Sequence, residues 1–79
     1  METTKRQRDC LEAIQVIAEG QGRPPTLNEI CCYVQVSSRS TVKRHVDNLR
    51  VMGLVNWEDG RQRTIRLTQQ GLELLGVTA

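Results

Sequence analysis

The chain has few side chains able to carry out covalent chemistry, and they are not grouped as catalysis would need. Its three serines, Ser37, Ser38 and Ser40, lie close together, but no general base with an orienting partner accompanies them. The single histidine, His45, falls at the flank of an apolar stripe with no acidic, cysteine or second histidine partner, which favours a packed or capping role. We therefore expect no enzyme activity.

The three cysteines are predicted to be reduced thiols. Cys10, Cys31 and Cys32 form an odd set without CxxC spacing or a histidine at zinc-ligand distance. Cys10 and Cys31 fall on apolar helix faces, where a free cysteine behaves as a small hydrophobic residue, whereas Cys32 is expected nearer the surface. The sequence predicts neither a metal site nor a cofactor.

Positive charge is concentrated in one stretch of the chain. The net charge is only +2, but residues 39–66 carry seven basic and three acidic residues, while the remainder carries four basic and six acidic ones. Such segregation is typical of a surface that faces nucleic acid, although a solvated helix face can produce a similar cluster. The elements that position these charges decide between the two interpretations.

Two helices are predicted before the basic stretch. Apolar residues recur at helical spacing over residues 5–19, and Gly20 and Gly22 are expected to end that helix. Two prolines follow, and proline cannot continue a helix because it lacks the amide donor. Residues 26–29, Thr-Leu-Asn-Glu, form a capping box that begins a short second helix reaching about Val34.

The basic stretch itself is predicted to contain a helix and a hairpin. The helix covers residues 38–52, with Ser37 or Ser38 as its cap and Val42, Val46 and Leu49 facing the core. Strands at 54–57 and 64–67 flank an Asp-Gly turn, and Trp57 is expected to cover the core. Residues 68–75 are predicted to form one or two capped helical turns.

This order of elements predicts a winged helix-turn-helix: one mainly α domain over residues 1–79, with three helices and a two-stranded β wing. The major groove of DNA is about 12 Å wide and admits one helix, so the start of the third helix needs hydrogen-bonding side chains. The candidates for reading bases are Ser38, Ser40, Thr41, Lys43 and Arg44. The candidates for contacting the DNA backbone, at helix starts and on the wing, are Thr26, Ser37, Arg39, Arg61, Arg63 and Arg66.

At these residues the chain resembles a known family. Pro24-Pro25-Thr26-Leu27-Asn28-Glu29-Ile30 resembles the Pro-Pro-Thr-x-x-Glu-Ile signature of the DNA-binding domain of LexA repressors. The likeness extends over roughly residues 4–75 and includes Ser38, His45, Leu49, Gly53, Gly60 and Ile65-Arg66-Leu67. The resemblance implies a winged helix-turn-helix that binds double-stranded DNA as a repressor of transcription.

The chain departs from the family pattern at the positions that read bases. In LexA-like sequences these positions are typically Ser, Asn, Ala, Glu and Glu, whereas this chain ends the set with Lys43 and Arg44. Because glutamate accepts a hydrogen bond from cytosine while arginine or lysine donates to guanine, the family's operator is not expected to carry over. The sequence also lacks the family's self-cleaving domain, so autoproteolysis and dimerisation through that domain are not expected.

Several alternatives stay open. The domain is either a complete regulator or the DNA-binding fragment of a longer two-domain repressor, and a winged helix can instead serve as a protein-protein interaction module. One module reads few base pairs, so we expect either self-pairing on inverted half-sites or a regulatory protein partner. Without a long apolar stretch or a signal peptide, the expected location is the cytoplasm, on the nucleoid, with no membrane partner.

Overall fold

The computed structural model describes residues 4–58, 61 and 63–76. The elements in chain order are helix α1 at Lys5–Gln21, helix α2 at Leu27–Val34, helix α3 at Arg39–Val51, strand β1 at Val55–Asn56, strand β2 at Arg66–Leu67 and helix α4 at Gln69–Leu75. This mainly helical architecture with a two-stranded hairpin confirms the predicted fold class.

The core lies where α1, α2 and α3 pack against one another and against the hairpin. The apolar side chains buried there are Cys10, Leu11, Ala13, Ile14, Ile30, Val34, Val42, Val46, Leu49, Val55 and Ile65. The three predicted core residues of α3, at positions 42, 46 and 49, are fully buried. Burying an aliphatic side chain of this size contributes about 1.5–3 kcal/mol, so the core fixes which face α3 turns outward.

The first helix ends at one of the two glycines expected to end it. α1 continues through Gly20 to Gln21, two residues beyond the predicted range, and Gly22 caps it with a left-handed φ of 71° and an N–H that donates to the carbonyl of Ala18. A glycine within a helix costs only about 1 kcal/mol relative to alanine, which one position near a helix end tolerates.

The second and third helices begin as the capping signals predicted. The Thr26 hydroxyl accepts from the Glu29 N–H at 3.2 Å, and the Glu29 carboxylate accepts from the Thr26 N–H at 2.8 Å. After Gln35, which has a left-handed φ of 59°, Ser38 rather than Ser37 caps α3 by accepting from the Thr41 N–H at 3.4 Å. The short turn holds α2 and α3 in a fixed relation.

The strands are shorter than predicted. β1 and β2 pair antiparallel with Val55 opposite Leu67 and Asn56 opposite Arg66. Pairing does not reach Trp57, Thr64 or Ile65. Arg63, directly before the second predicted strand, has a left-handed φ of 59°, which is incompatible with extended backbone and stops the strand from continuing toward the turn. The Asp59-Gly60 turn lies outside the described residues.

Helix α4 closes the fold over the base of the hairpin. Thr68 caps it, and the Thr68 hydroxyl also donates to the Gly53 carbonyl at 2.6 Å while its N–H donates to the Leu54 carbonyl at 3.0 Å. Leu75 packs against the core from this helix. The predicted terminal helical turns are thus a defined fourth helix. Among the described residues, no helix has the length and apolar character needed to cross a membrane.

Candidate nucleic-acid interface

The outer face of the first turns of α3 is polar and accessible. Ser38, Ser40, Thr41 and Arg44 are all exposed, because the buried valines of α3 point the opposite way. Their hydroxyl and guanidinium groups supply hydrogen bonds of the kind that base edges require. Four of the five candidate base-reading residues therefore lie in the open on one helix.

The fifth candidate, Lys43, is half-buried and already engaged. Its Nζ lies 3.2 Å from the Asp47 carboxylate, one helical turn further on, and 5.4 Å from the centre of the Trp57 ring. A partly exposed pair of this kind contributes only about 0.3–0.5 kcal/mol, so the ion pair with Asp47 costs little to break when a stronger acceptor approaches.

Arg50 joins α3 to the wing, a contact that sequence reasoning missed. Its guanidinium donates to the Trp57 carbonyl at 2.9 Å and to the Asp47 carboxylate at 3.2 Å, and lies 5.3 Å from the Trp57 ring centre. Trp57, which packs on the core as expected, thus has two cations near its ring. The spacing of Asp47 and Arg50, three residues apart on a helix, indicates an ion pair between them. Nothing in the sequence indicates the contact of Arg50 with Trp57.

A pocket of about 270 Å³ lies where the start of α2, helix α3 and the wing meet. Its lining residues are Pro25, Thr26, Leu27, Asn28, Arg39, Lys43, Trp57, Arg61, Arg63 and Ile65. Four of these are cations, and the lining includes the first turn of α2, where the helix dipole favours negative charge. The cations give the pocket positive charge, and three of them, Lys43, Arg61 and Arg63, also pair with the carboxylates of Asp47, Glu58 and Glu29. Asn28, exposed in that first turn, was missed by sequence reasoning.

The remaining candidates for backbone contact are divided between this pocket and its surroundings. Arg39 and Arg61 line the pocket and are exposed, and Arg61 also pairs with Glu58 at 3.4 Å. Ser37 is exposed next to the cap of α3. Arg66 is exposed on β2, opposite Asn56, and does not line the pocket.

Arg63 points inward rather than toward open solvent. One of its guanidinium nitrogens donates at 3.1 Å both to the Pro24 carbonyl and to the Glu29 carboxylate, and only 30% of its side chain is exposed. Glu29 also accepts from the Gln21 amide at 3.4 Å. The wing is thereby tied to the connector between α1 and α2.

The environment of Glu29 favours its ionised form. The hydrogen bond from the Thr26 backbone N–H lowers the pKa of the Glu29 carboxyl below its ordinary value of 4.5, with further lowering from the Gln21 amide and the Arg63 guanidinium and an opposing effect of desolvation. The carboxylate is therefore a charged partner for Arg63 at neutral pH.

The histidine and cysteine side chains considered for catalysis or metal binding do not line the pocket. His45 is half-buried in α3, and its Nδ1 is buried without a hydrogen-bond partner among the described residues. Cys10 is buried, and desolvation with the nearby Asp9 charge raises its pKa to about 11, whereas Cys32 is exposed. No group of three His, Cys, Asp or Glu side chains in the described part of the chain is placed to hold a metal ion.

Comparison with known proteins decides the family. The model of the LexA DNA binding domain matches residues 1–64, which is most of the chain. The chain belongs to the LexA DNA binding domain family. The resemblance seen in its capping-box signature is thus confirmed, and the match covers helices α1, α2 and α3 and strand β1.

The relatives of this LexA-type domain are considerably longer proteins. The chain is 37% identical to the LexA repressor of Limosilactobacillus fermentum over 96% of its own length and 36% of the relative's. The corresponding values are 42%, 90% and 34% for the LexA repressor of Ligilactobacillus salivarius, and 38%, 96% and 38% for that of Azoarcus sp. strain BH72. The LexA-type chain therefore spans about a third of the length of these curated relatives.

Proposed function

We propose that this LexA-type domain binds double-stranded DNA in a sequence-specific manner and represses transcription, as the names of its relatives suggest. The observation that carries the proposal is the joining of the polar first turns of α3 to a pocket with four lining cations. A helix seated in the major groove needs base-contacting side chains on it and phosphate-contacting cations beside it. The α3–wing junction supplies both.

In this proposal the outer face of α3 reads base edges. Arg44 is exposed and can donate two hydrogen bonds to guanine O6 and N7, while the hydroxyls of Ser38, Ser40 and Thr41 suit either partner. Lys43 lies at the inner edge of this face and would exchange Asp47 for a base or a phosphate oxygen. The operator should differ from that of family members with glutamates at the last two positions.

Phosphates on either side of the groove would be held by the pocket and its rim. Arg39 and Arg61 line the pocket, and the start of α2 at Thr26 adds the favourable end of a helix dipole. Ser37 and Arg66 extend the contact outward from the cap of α3 and from β2. These contacts would fix the orientation of the domain and make binding depend on salt.

The test is binding of labelled duplex DNA, followed by fluorescence anisotropy over a range of salt concentrations. Each phosphate neutralised should contribute about −0.9 to the slope of log K against log salt, and Arg44→Ala should cost about 1–3 kcal/mol on a preferred site with less effect on random DNA. Arg8→Ala is the matched control, because it removes the same charge from an exposed position on α1, a helix that does not line the pocket. Absence of binding at low salt would contradict the proposal and favour a protein-interaction module.

We further propose that two copies occupy inverted half-sites. The apolar side chains near the end of α3 and in α4 offer little surface for a contact between copies. Val51 is 83% exposed and Leu74 is exposed, whereas Met52 is half-buried and packs on the core. Val77 lies outside the described residues. Two side chains make a patch far smaller than the roughly 1,200 Å² of a stable interface, so pairing should need DNA.

This assembly is tested by light scattering of the free domain and by titration of one-site and two-site duplexes. We expect a monomer without DNA and two copies on inverted half-sites with centres about 10 base pairs apart. A dimer without DNA, or one copy per palindrome at saturation, would contradict the assembly and leave the second contact to another protein.

A further inference from the structure

Arg63 differs from the other cations of the pocket in what it contacts. Arg61 is widely exposed and pairs with Glu58 of the same hairpin, whereas Arg63 reaches back 39 residues to the Pro24 carbonyl and 34 residues to Glu29. These two contacts join the second half of the wing to the helix-turn-helix from outside the hairpin. Pro24 lies in the connector between α1 and α2, and Glu29 lies in the first turn of α2.

The backbone at Arg63 serves the same contact. The φ of Arg63 is 59°, a left-handed conformation that arginine adopts only at some energetic cost. Arg63 follows Arg61 by two residues along the wing. A cation meant for phosphate needs no such backbone, because a flexible arginine on an ordinary strand reaches solvent. The turn instead directs the guanidinium to an acceptor that is fixed in place by the capping box of α2.

Glu29 thus has two functions at once. It caps α2 through the Thr26 N–H at 2.8 Å and accepts from Arg63 at 3.1 Å. Thr26 caps α2 and lines the pocket. The Glu29 carboxylate therefore holds the wing, through Arg63, at a fixed distance from the start of α2. That separation decides whether Arg61 and the α2 start can meet phosphates while α3 lies in the groove.

We propose that Arg63 is a positioning residue: its contacts with Glu29 and Pro24 lock the wing against the helix-turn-helix, and it does not itself bind a DNA phosphate. This inference rests on the proposed DNA binding and revises the role that the sequence suggested for Arg63. Arg61 is the phosphate contact that the wing contributes to the pocket, and Arg63 determines where Arg61 is held.

The first test compares two arginines of one wing by salt titration of DNA binding. Arg61→Ala should flatten the slope of log K against log salt by about one unit, because it removes a neutralised phosphate. Arg63→Ala should weaken binding about fivefold to tenfold at every salt concentration, because the released wing must then be ordered on binding. The slope should stay unchanged, because Arg61 still neutralises the same phosphate in the complex. Flattening by Arg63→Ala equal to that of Arg61→Ala would overturn the inference.

The second test removes an acidic residue rather than a basic one. A positioning role and a phosphate-binding role of Arg63 then predict opposite changes in DNA affinity. In Glu29→Gln the side-chain oxygen still accepts from the Thr26 N–H, so the cap of α2 is retained while the charge that holds Arg63 is lost. If Arg63 positions the wing, DNA binding weakens. If Arg63 were a phosphate ligand, releasing it and removing a negative charge would tighten binding.

Glu58→Gln is the matched control, because it removes the same charge from the exposed partner of Arg61. It should tighten DNA binding, because Glu58 then no longer competes with the DNA phosphate for Arg61. Tightening by Glu29→Gln as well would overturn the inference. The double variant Arg63→Ala/Glu29→Gln should bind no more weakly than Arg63→Ala alone, because both remove one contact.

A readout without DNA separates this inference from the proposed function. The ¹⁵N heteronuclear NOE of the Arg61, Arg63 and Thr64 amides should fall in both Arg63→Ala and Glu29→Gln and stay at the wild-type value in Glu58→Gln. A wild-type domain that fails to bind DNA would contradict the proposed function while these NOE values still test the lock. Unchanged wing NOE values in a folded Glu29→Gln variant would contradict the lock itself.

Discussion

Replacing Gly71 by alanine sets two opposing effects against each other. Gly71 lies in the first turn of α4 and is buried, and a Cβ built there would collide with the Leu54 carbonyl oxygen and come within 3.1 Å of Leu67 Cδ2. That carbonyl also accepts the Thr68 N–H that attaches the start of α4. The added methyl would therefore push the helix away from the atom that anchors it.

The magnitudes favour destabilisation. Alanine improves helix propensity over glycine by about 1 kcal/mol at most, whereas forcing a methyl group against rigid backbone costs about 1–3 kcal/mol and also strains the anchoring hydrogen bond. We expect the free energy of unfolding to fall by about 1–2 kcal/mol, which lowers Tm by roughly 5–15 °C in a domain of this size.

Gly20→Ala is the matched control for this prediction. Gly20 also lies in a helix, α1, but a Cβ there meets no atom within 4 Å, so only the propensity gain remains. Its Tm should rise by about 2–6 °C. Thermal and urea unfolding followed by circular dichroism at 222 nm measures both variants. A Gly71→Ala domain as stable as the wild type would refute the close approach of α4 to the segment at Leu54.

Three further predictions concern the core, acid and thiols. Leu49→Ala should lower the free energy of unfolding by about 2–4 kcal/mol in urea titrations, because Leu49 is fully buried. The lowered pKa of Glu29 gives stability that is complete above its ordinary pKa of 4.5 and is lost as pH falls through the lower folded value; acid titrations should show a smaller loss in Glu29→Gln. At pH 8 a maleimide should label exposed Cys32 quickly and buried Cys10 only on unfolding, as mass spectrometry of digested protein would show.

The sequence predicted the helices well because their signals are local. The capping box at Thr26 and the apolar period of α3 lie within a few residues of the structure they specify, and both were found as expected. The sequence indicated both Gly20 and Gly22 as the end of α1, because two glycines close together give the same stop signal, and only the left-handed backbone of Gly22 identifies it as the cap.

The interface was less accessible to sequence reasoning because its decisive contacts are distant in the chain. A run of arginines indicates a basic surface, but nothing near Arg63 shows that it bonds to Glu29, which already had an assigned role as a cap. The link from Arg50 to Trp57 likewise needed the register of the hairpin relative to α3. Local patterns predicted where the charges are, while tertiary packing decides which of them face outward.

The central claim, that the outer face of α3 reads a DNA sequence, is tested most directly by selection of bound sequences from random duplex DNA with the wild type and with Arg44→Ala. Arg44 is exposed on that face, so its loss should leave the fold intact. The wild type should enrich an inverted repeat with half-site centres about 10 base pairs apart, and Arg44→Ala should relax the preference at one base pair of each half-site. No enriched sequence for the wild type, or the same preference at every position in Arg44→Ala, would contradict the account.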